Sequence, residues 1–544
     1  MPIIYDEKKR VFKLDTPNTT YAFHVTNSNH LLHLYYGASI PETDITHMLR
    51  IPNDEPFVPS THDGMGPHSF DCAAIEFPTS GVADFREPCM QLMDKYGMSA
   101  CECYYDSCAI YKGKKKLEGL PATYANTDDE VTSLEVYCKD PHNGLEITLQ
   151  YSVFEKLDVI TRSVKVKNGG ADPIELRRLL SACVELDSKD YDMITLYGTW
   201  ARERHVQRNP LHFGKQLVDS CRGATSHAHN NFIAIVDHKA TEDYGDCYGF
   251  ALCYSGSFVA GCEVNQYEKT RVFSGINPYD FSWHLDLGEE FQAPEVIMVF
   301  SASGIGTMSR TFHDVMRNNL TRGKWKDIRR PILINNWEAT YFDFKKEKLL
   351  ELADEAQKVG IELFVLDDGW FGNRYDDNRA LGDWTVNEEK LGGSLAELIQ
   401  GIHDKGLQFG LWVEPEMISV DSNLYRAHPD WAIQVPGYEH TYSRNQLVLD
   451  FSNKEVVAYI KQVLDDLLGN HEIDYIKWDM NRYLSEAGSP TREPRQWKEL
   501  HFRSTEGVYR LAEELKKRHP KVELEACASG GGRVDYGALE RFDE

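Results

Sequence analysis

The sequence predicts two folds in series: a large antiparallel β-sandwich, then an (incomplete) (β/α)8 barrel. Three observations carry this. Up to about residue 300, short alternating or β-branched runs are punctuated by Gly, Asn, Asp and Pro, the period-two grammar of antiparallel strands. After about residue 330, apolar strand candidates alternate with amphipathic helices, as in a parallel sheet. Those later strands also end in carboxylates and tryptophans. A barrel gathers all its strand ends round one cavity, whereas an open doubly wound sheet concentrates ligand groups at one switch point.

In the first part the strand candidates include YAFHV (21–25), LLHLYYG (31–37), LEITLQYSVF (145–154), DVITRSVKVKN (158–168), FIAIVDH (232–238) and EVIMVFS (295–301). A helix is expected over 306–320, with Met308, Phe312, Val315 and Met316 on one face. The basic stretch TRGKWKDIRRP follows, and the domains are read as 1–325 and 326–544. The later strands are PILINNW (331–337), IELFVLDDGW (361–370), QFGLWVEPE (408–416), IDYIKWDM (473–480) and VELEACASGG (522–531). Between them, Leu349, Leu350, Ala353, Ala356 and Val359 form a helical stripe stopped by Gly360. Ser394 with Glu397, and Ser452 with Glu455, read as capping boxes that open two further helices. Five β-α units are legible, and the sequence reaches Glu544 where a sixth strand is due.

The chain of 544 residues carries 59 basic and 85 acidic side chains, a formal charge of −26. Such a surface repels phosphate backbones and anionic lipid, so neither nucleic acid nor membrane is expected as a partner. No apolar run reaches the ~18 residues of a spanning helix. The start, MPIIYDEKKRVFKLD, has no basic flank before an apolar stretch. The 12 cysteines lack zinc-site spacing and read as reduced, mostly buried thiols, which points to the cytoplasm.

Strand-end carboxylates serve two chemistries, glycoside hydrolysis and metal-dependent reactions of sugars. The second usually recruits histidines. No strand end here carries one, and neither HxH nor HExxH occurs after residue 330, so no metal or cofactor is expected; an all-oxygen Mg²⁺ or Mn²⁺ site stays open. In Ile-Lys-Trp-Asp (476–479), Lys477 and Asp479 share one side of a strand. A cation there keeps the carboxylate ionised, which suits a nucleophile and equally a structural ion pair. Asp367 and Asp368 close their strand as adjacent anions, fit either for sugar hydroxyls or for an Asx turn before Gly369. Trp337, Trp370, Trp384 and Trp412 lie at or near strand ends, where indoles stack on sugar C–H faces or simply pack in a core. CASGGGR (527–533) lacks a phosphate-loop pattern and fits close backbone approach or a tight turn.

Taken together, NNWEATYFDF (335–344), LDDGWFG (366–372), LGDW (381–384), GLWVEPEM (410–417), RNQLVLD (444–450), KWDMNR (477–482) and CASGGGR (527–533) resemble the retaining α-galactosidases of glycoside hydrolase family 36. DFREP (84–88), LPATY (120–124) and YGTWARERH (197–205) extend the resemblance through the first part. It implies a β-supersandwich, a (β/α)8 barrel and a small C-terminal β-domain. It also implies hydrolysis of terminal α-galactosyl groups of melibiose, raffinose and stachyose by double displacement. By resemblance, Asp479 is the nucleophile, and Asp367 and Asp368 hold galactose hydroxyls. Arg444, Lys477, Asn481, Cys527 and Gly530 bind other parts of the sugar; Trp412 and Trp337 wall the subsite, and Trp200 reaches it from the N-terminal part. The resemblance further implies a homotetramer, with a residue such as Asp54 closing a neighbour's pocket.

The family's acid/base Asp belongs to a motif expected beyond residue 544. The sequence therefore reads as a C-terminally truncated form, with little turnover and poor solubility expected of it alone; Glu416 and Asp535 are remote substitutes for the acid/base. Alternatives are a raffinose- or stachyose-synthase-like transglycosylase, an α-N-acetylgalactosaminidase, an inactive galactoside-binding fragment and a metal-dependent sugar isomerase.

Overall fold

The computed structural model describes residues 2–42, 44–49, 59, 61–62 and 67–544. The chain forms two compact units. One comprises Met1–Cys221, His227–Leu320 and Asp535–Gly537; the other comprises Arg222–Ser226, Thr321–Val534 and Ala538–Glu544.

Among the described residues, the first unit is built on a ten-stranded, a six-stranded and a four-stranded antiparallel sheet. Its grammar is the alternation seen in sequence. Thr132–Asp140, Leu145–Phe154 and Val159–Asn168 pair as successive hairpins, with Leu145 opposite both Asp140 and Asn168. His229–Asp237 of the larger sheet packs on Phe258–Val264 of the smaller. Apolar side chains such as Ile233, Ile235, Phe258 and Cys262 are buried there. The helix after the last strand spans Gly304–Val315 and buries Met308, Phe312 and Val315. Its final turn, Met316–Leu320, widens to π geometry and leaves Met316 only half-buried. Gly249 lets this helix approach: a Cβ there would stand 2.5 Å from the Phe312 ring and 2.9 Å from Met308 Sδ.

The second unit holds five parallel strands: β1 (Leu333–Asn335), β2 (Leu363–Leu366), β3 (Gln408–Val413), β4 (Tyr475–Trp478) and β5 (Glu523–Ala526). Their order in the sheet is the order in the chain, and every neighbouring pair is parallel. A doubly wound sheet reverses direction at its switch point; this one advances one way only, as a barrel wall does. Helices α1 (Lys346–Lys358), α2 (Leu395–His403), α3 (Lys454–Asn470) and α4 (Leu500–Arg518) lie between the strands. Their apolar stripes, including Leu349, Leu398, Ile402, Ile460, Leu464 and Leu511, share one core with Phe364, Phe409, Leu411, Ile476 and Leu524 of the strands.

Past β5, Glu544 N–H donates to Leu524 O at 3.1 Å, and Ala526 N–H donates to Glu544 O at 2.8 Å. That is the bond pattern of a further parallel strand. Arg222–Ser226 joins this unit from afar: Leu484 N–H donates to Arg222 O at 3.0 Å and Ser226 N–H to Gly532 O at 2.9 Å.

The Ser394 capping box forms with Glu397. The one expected at Ser452 does not. Asn453 caps α3 instead, accepting from Glu455 N–H at 2.9 Å, because Asp450 captures both the Ser452 backbone N–H and its hydroxyl. A carboxylate two residues upstream is the stronger acceptor.

Candidate active site

Because the five strands are parallel, the residues that follow each of them project from one end of the sheet. At the end of β1, Asn335 Nδ2–H donates to Asp367 at 2.5 Å, and Asn336 Oδ1 accepts from Asp367 N–H at 2.7 Å. β2 ends in Asp367 and Asp368, both buried. Lys477, on β4, donates to Asp367 at 2.8 Å. Asp368 receives Arg374 in a two-pronged pair, Nε to Oδ1 at 3.0 Å and Nη2 to Oδ2 at 2.7 Å. Burial pushes Asp368 above the ordinary carboxylate range even so, with Arg374 opposing it. Arg374 is itself held from behind. Buried Lys390 donates to the carbonyls of Gly369 at 2.6 Å and Arg374 at 2.7 Å, beneath Phe342, Phe344 and Tyr375. Burial lowers its ammonium to about 8.

Asp479 follows β4 and is 6 % exposed. Oδ2 accepts from Trp412 Nε1–H at 3.1 Å and from Asn481 Nδ2–H at 2.8 Å. Oδ1 accepts the backbone N–H groups of Met480 at 2.9 Å and Ser529 at 3.1 Å. Burial is the largest single influence on this carboxyl and raises it, but Lys477, Asn481, Trp412 and the Ser529 amide together outweigh it. The net result is a depressed pKa and an anion. Lys477 in turn is desolvated yet held well above its ordinary value by Asp367, Cys527 and Asp479. The period-two argument holds here: Lys477 and Asp479 share the site, while Trp478 turns away, edge-on to Phe542, and donates to Glu416 at 2.8 Å.

After β5, Cys527 is buried, and burial with the Asp479 charge pushes its thiol far up. Gly530 N–H donates to its Sγ at 3.4 Å, and Ser529 and Gly530 both adopt the left-handed region, at φ 47° and 82°. The turn thus folds the Ser529 amide onto Asp479, and the Ser529 hydroxyl donates to Asn481 Oδ1 at 2.5 Å. Arg444 is exposed on a turn in which Ser443 bridges Gln446. Arg444 and Asn445 are both left-handed, at φ 50° and 59°, a conformation that costs a side-chain-bearing residue roughly 1–2 kcal/mol.

The structure therefore brings together two hydrogen-bonded groups, Asp367 with Lys477 and Asp479 with Trp412 and Asn481, linked by the charge of Lys477 acting on Asp479, with Asp368, Cys527 and Gly530 on their flanks. Trp337 is half-buried at the end of β1, edge-on to Tyr341 and Phe342. Trp370 and Trp384 are core residues packed on Phe371, the first edge-on and the second tilted. Trp200 belongs to the first unit, 70 % exposed at a strand turn. Asp54 lies outside the described residues. Of the substitute acids, Glu416 is bonded to Arg533 at 2.6 Å, and Asp535 accepts from Ser255 within the first unit. Among the described residues no group of three or more His, Cys, Asp or Glu is placed to hold a metal ion.

Sequence reasoning assigned no role to Arg374, Asn335, Lys390, Ser529 or Glu414. Glu414 was visible as a strand-end carboxylate; Arg374 and Lys390 sit in stretches with no periodicity to mark them.

Comparison with known proteins gives the same picture for both parts of the chain. Residues 290–544 match the Melibiase family and residues 29–286 the glycosyl hydrolase family 36 N-terminal domain. The α-galactosidase AgaA of Geobacillus stearothermophilus is 45% identical over 540 residues, which is 99% of this chain and 74% of AgaA. Its crystal structure superimposes with a TM-score of 0.96 over 98% of this chain and 74% of that one. AgaB of the same organism gives 0.97 at 44% identity, over 100% of this chain and 75% of that one. Variants of AgaA have been solved with raffinose, with stachyose and with 1-deoxygalactonojirimycin.

Proposed function

The chain belongs to glycoside hydrolase family 36, and on that premise we propose that it is built to hydrolyse terminal α-galactosyl groups of raffinose-type oligosaccharides with retention, Asp479 being the nucleophile. The observation that carries this is the Asp479 carboxylate, held as an anion by four N–H donors with Lys477 alongside. Its oxygen attacks the anomeric carbon as the glycosidic bond breaks, and the departing oxygen takes a proton from a general acid. A galactosyl ester of Asp479 results, which water cleaves to return the carboxylate. The four donors share the anion's charge without neutralising it. Lys477 divides its attraction between Asp367 and Asp479, so the charge lost from Asp479 in the ester is buffered by Asp367.

Asp367 and Asp368 supply acceptors for galactose hydroxyls. Their outer partners, Asn335, Lys477 and Arg374, fix where those acceptors point. Arg444, Asn481, Cys527 and Gly530 contact the rest of the ring, and Trp412 and Trp337 supply its apolar walls. We assign the acid/base role to none of Asp367, Asp368, Glu414, Glu416 or Glu525. Each is held by partners of its own: Lys477, Arg374, Gln446, Arg533 and Tyr475, respectively. A cytoplasmic, homotetrameric enzyme without metal or cofactor completes the proposal, and light scattering tests the tetramer.

A fluorinated α-galactosyl fluoride tests the chemistry, because fluoride leaves without a general acid. Mass spectrometry of peptides should find one galactosyl ester, on Asp479, absent from Asp479→Asn. A label on another residue, or none, overturns the assignment.

A further inference from the structure

Glu414 stands directly after β3 and is 1 % exposed. Its Oε1 accepts two hydrogen bonds, from the backbone N–H of Asn481 at 2.6 Å and from Gln446 Nε2–H at 2.7 Å. These donors come from two separate segments of the chain. Asn481 is the residue whose side chain donates to Asp479, and Gln446 closes the strained turn that carries Arg444.

We propose that Glu414 is a positioning residue, whose carboxyl ties the Arg444 turn to the Asn481 strand end and so sets the groups on both flanks of Asp479. The inference rests on the reading of Asp479 as the nucleophile.

The protonation state follows from the surroundings. Burial and the Asp479 charge raise Glu414 to about 8; the Asn481 and Gln446 hydrogen bonds and Arg444 oppose this. The charged groups acting on it are therefore Asp479 from the β4 end and Arg444 from the turn. Glu416, two residues on along its own segment, is paired with Arg533. Below pH 8 Glu414 is neutral, and it holds both donors without placing a second negative charge beside the nucleophile. As the pH rises through its pKa it ionises, and repulsion then works against Asp479 and the set around it.

Three proteins decide the matter: the parent chain, Glu414→Gln and Glu414→Ala. Each is measured for 1-deoxygalactonojirimycin affinity by calorimetry and for fluoride release from α-galactosyl fluoride across pH. Ala strands two buried donors, and affinity and rate should fall about 10- to 100-fold. Gln reproduces the neutral carboxyl and should recover both to within about threefold of the parent. The parent's rate should decline as pH rises through about 8, and that limb should vanish in Glu414→Gln. The proposal is overturned if Gln is as impaired as Ala, if Ala matches the parent, or if the alkaline limb persists in Gln. If Ala does not fold, the Gln profile still decides. A parent that neither binds the inhibitor nor releases fluoride would instead overturn the reading of Asp479.

Discussion

Arg374 is the residue on which Asp368 depends. Asp368 is a buried carboxylate whose ion pair is with that guanidinium, and breaking such a pair typically costs ~3–5 kcal/mol because the survivor is left buried without it. Arg374→Met should lower the melting temperature and raise KM for α-galactosides. Arg374→Lys should recover part of the stability but little of the KM, since an ammonium cannot make the two-pronged bond. Asp479 has the opposite electrostatics to Glu414. Its folded pKa lies below the ordinary carboxylate value, so its stabilising interactions are complete above that value and are lost as pH falls through the depressed one. The acid limb of fluoride release should accordingly lie below pH ~4, and Asp479→Asn should abolish release at every pH. That Lys477 and Asp479 share one side was legible because strand geometry puts residues two apart on the same face. Arg374 was not, because its partner is set by a loop that folds back only in three dimensions.

At the level of elements, α4 docks through a glycine. A Cβ on Gly507 would stand 2.2 Å from the Phe451 carbonyl oxygen, so Gly507→Ala should destabilise the unit by ~1–3 kcal/mol despite alanine's better helix propensity. Chemical denaturation measures this directly. Element identity and order were readable from apolar runs and helical stripes, and the polar strand ends correctly favoured a barrel over a doubly wound sheet. The α3 cap was not readable, because two adjacent residues, Ser452 and Asn453, are equally good caps in sequence and only Asp450 decides between them.

On the scale of the molecule, neither compact unit is one continuous stretch. Arg222–Ser226 is counted with the barrel strands, and Asp535–Gly537 with the β-sheets. The sequence offers no sign of this exchange, since both short segments lack periodicity and acquire their place only from what they touch. Gly223 illustrates the fit: its φ is 70°, and a Cβ there would stand 2.3 Å from Leu484. A fragment comprising 326–544 lacks the Arg222–Ser226 strap, and it should melt lower and bind 1-deoxygalactonojirimycin more weakly than the whole chain does; calorimetry on both checks this. Interleaving of this kind also has a genealogical consequence. A gene whose halves each hold a piece of the other cannot be traded as cassettes: recombination at any single junction would leave both descendants short of residues they need, so the two halves are bound to be inherited, and to diverge, together.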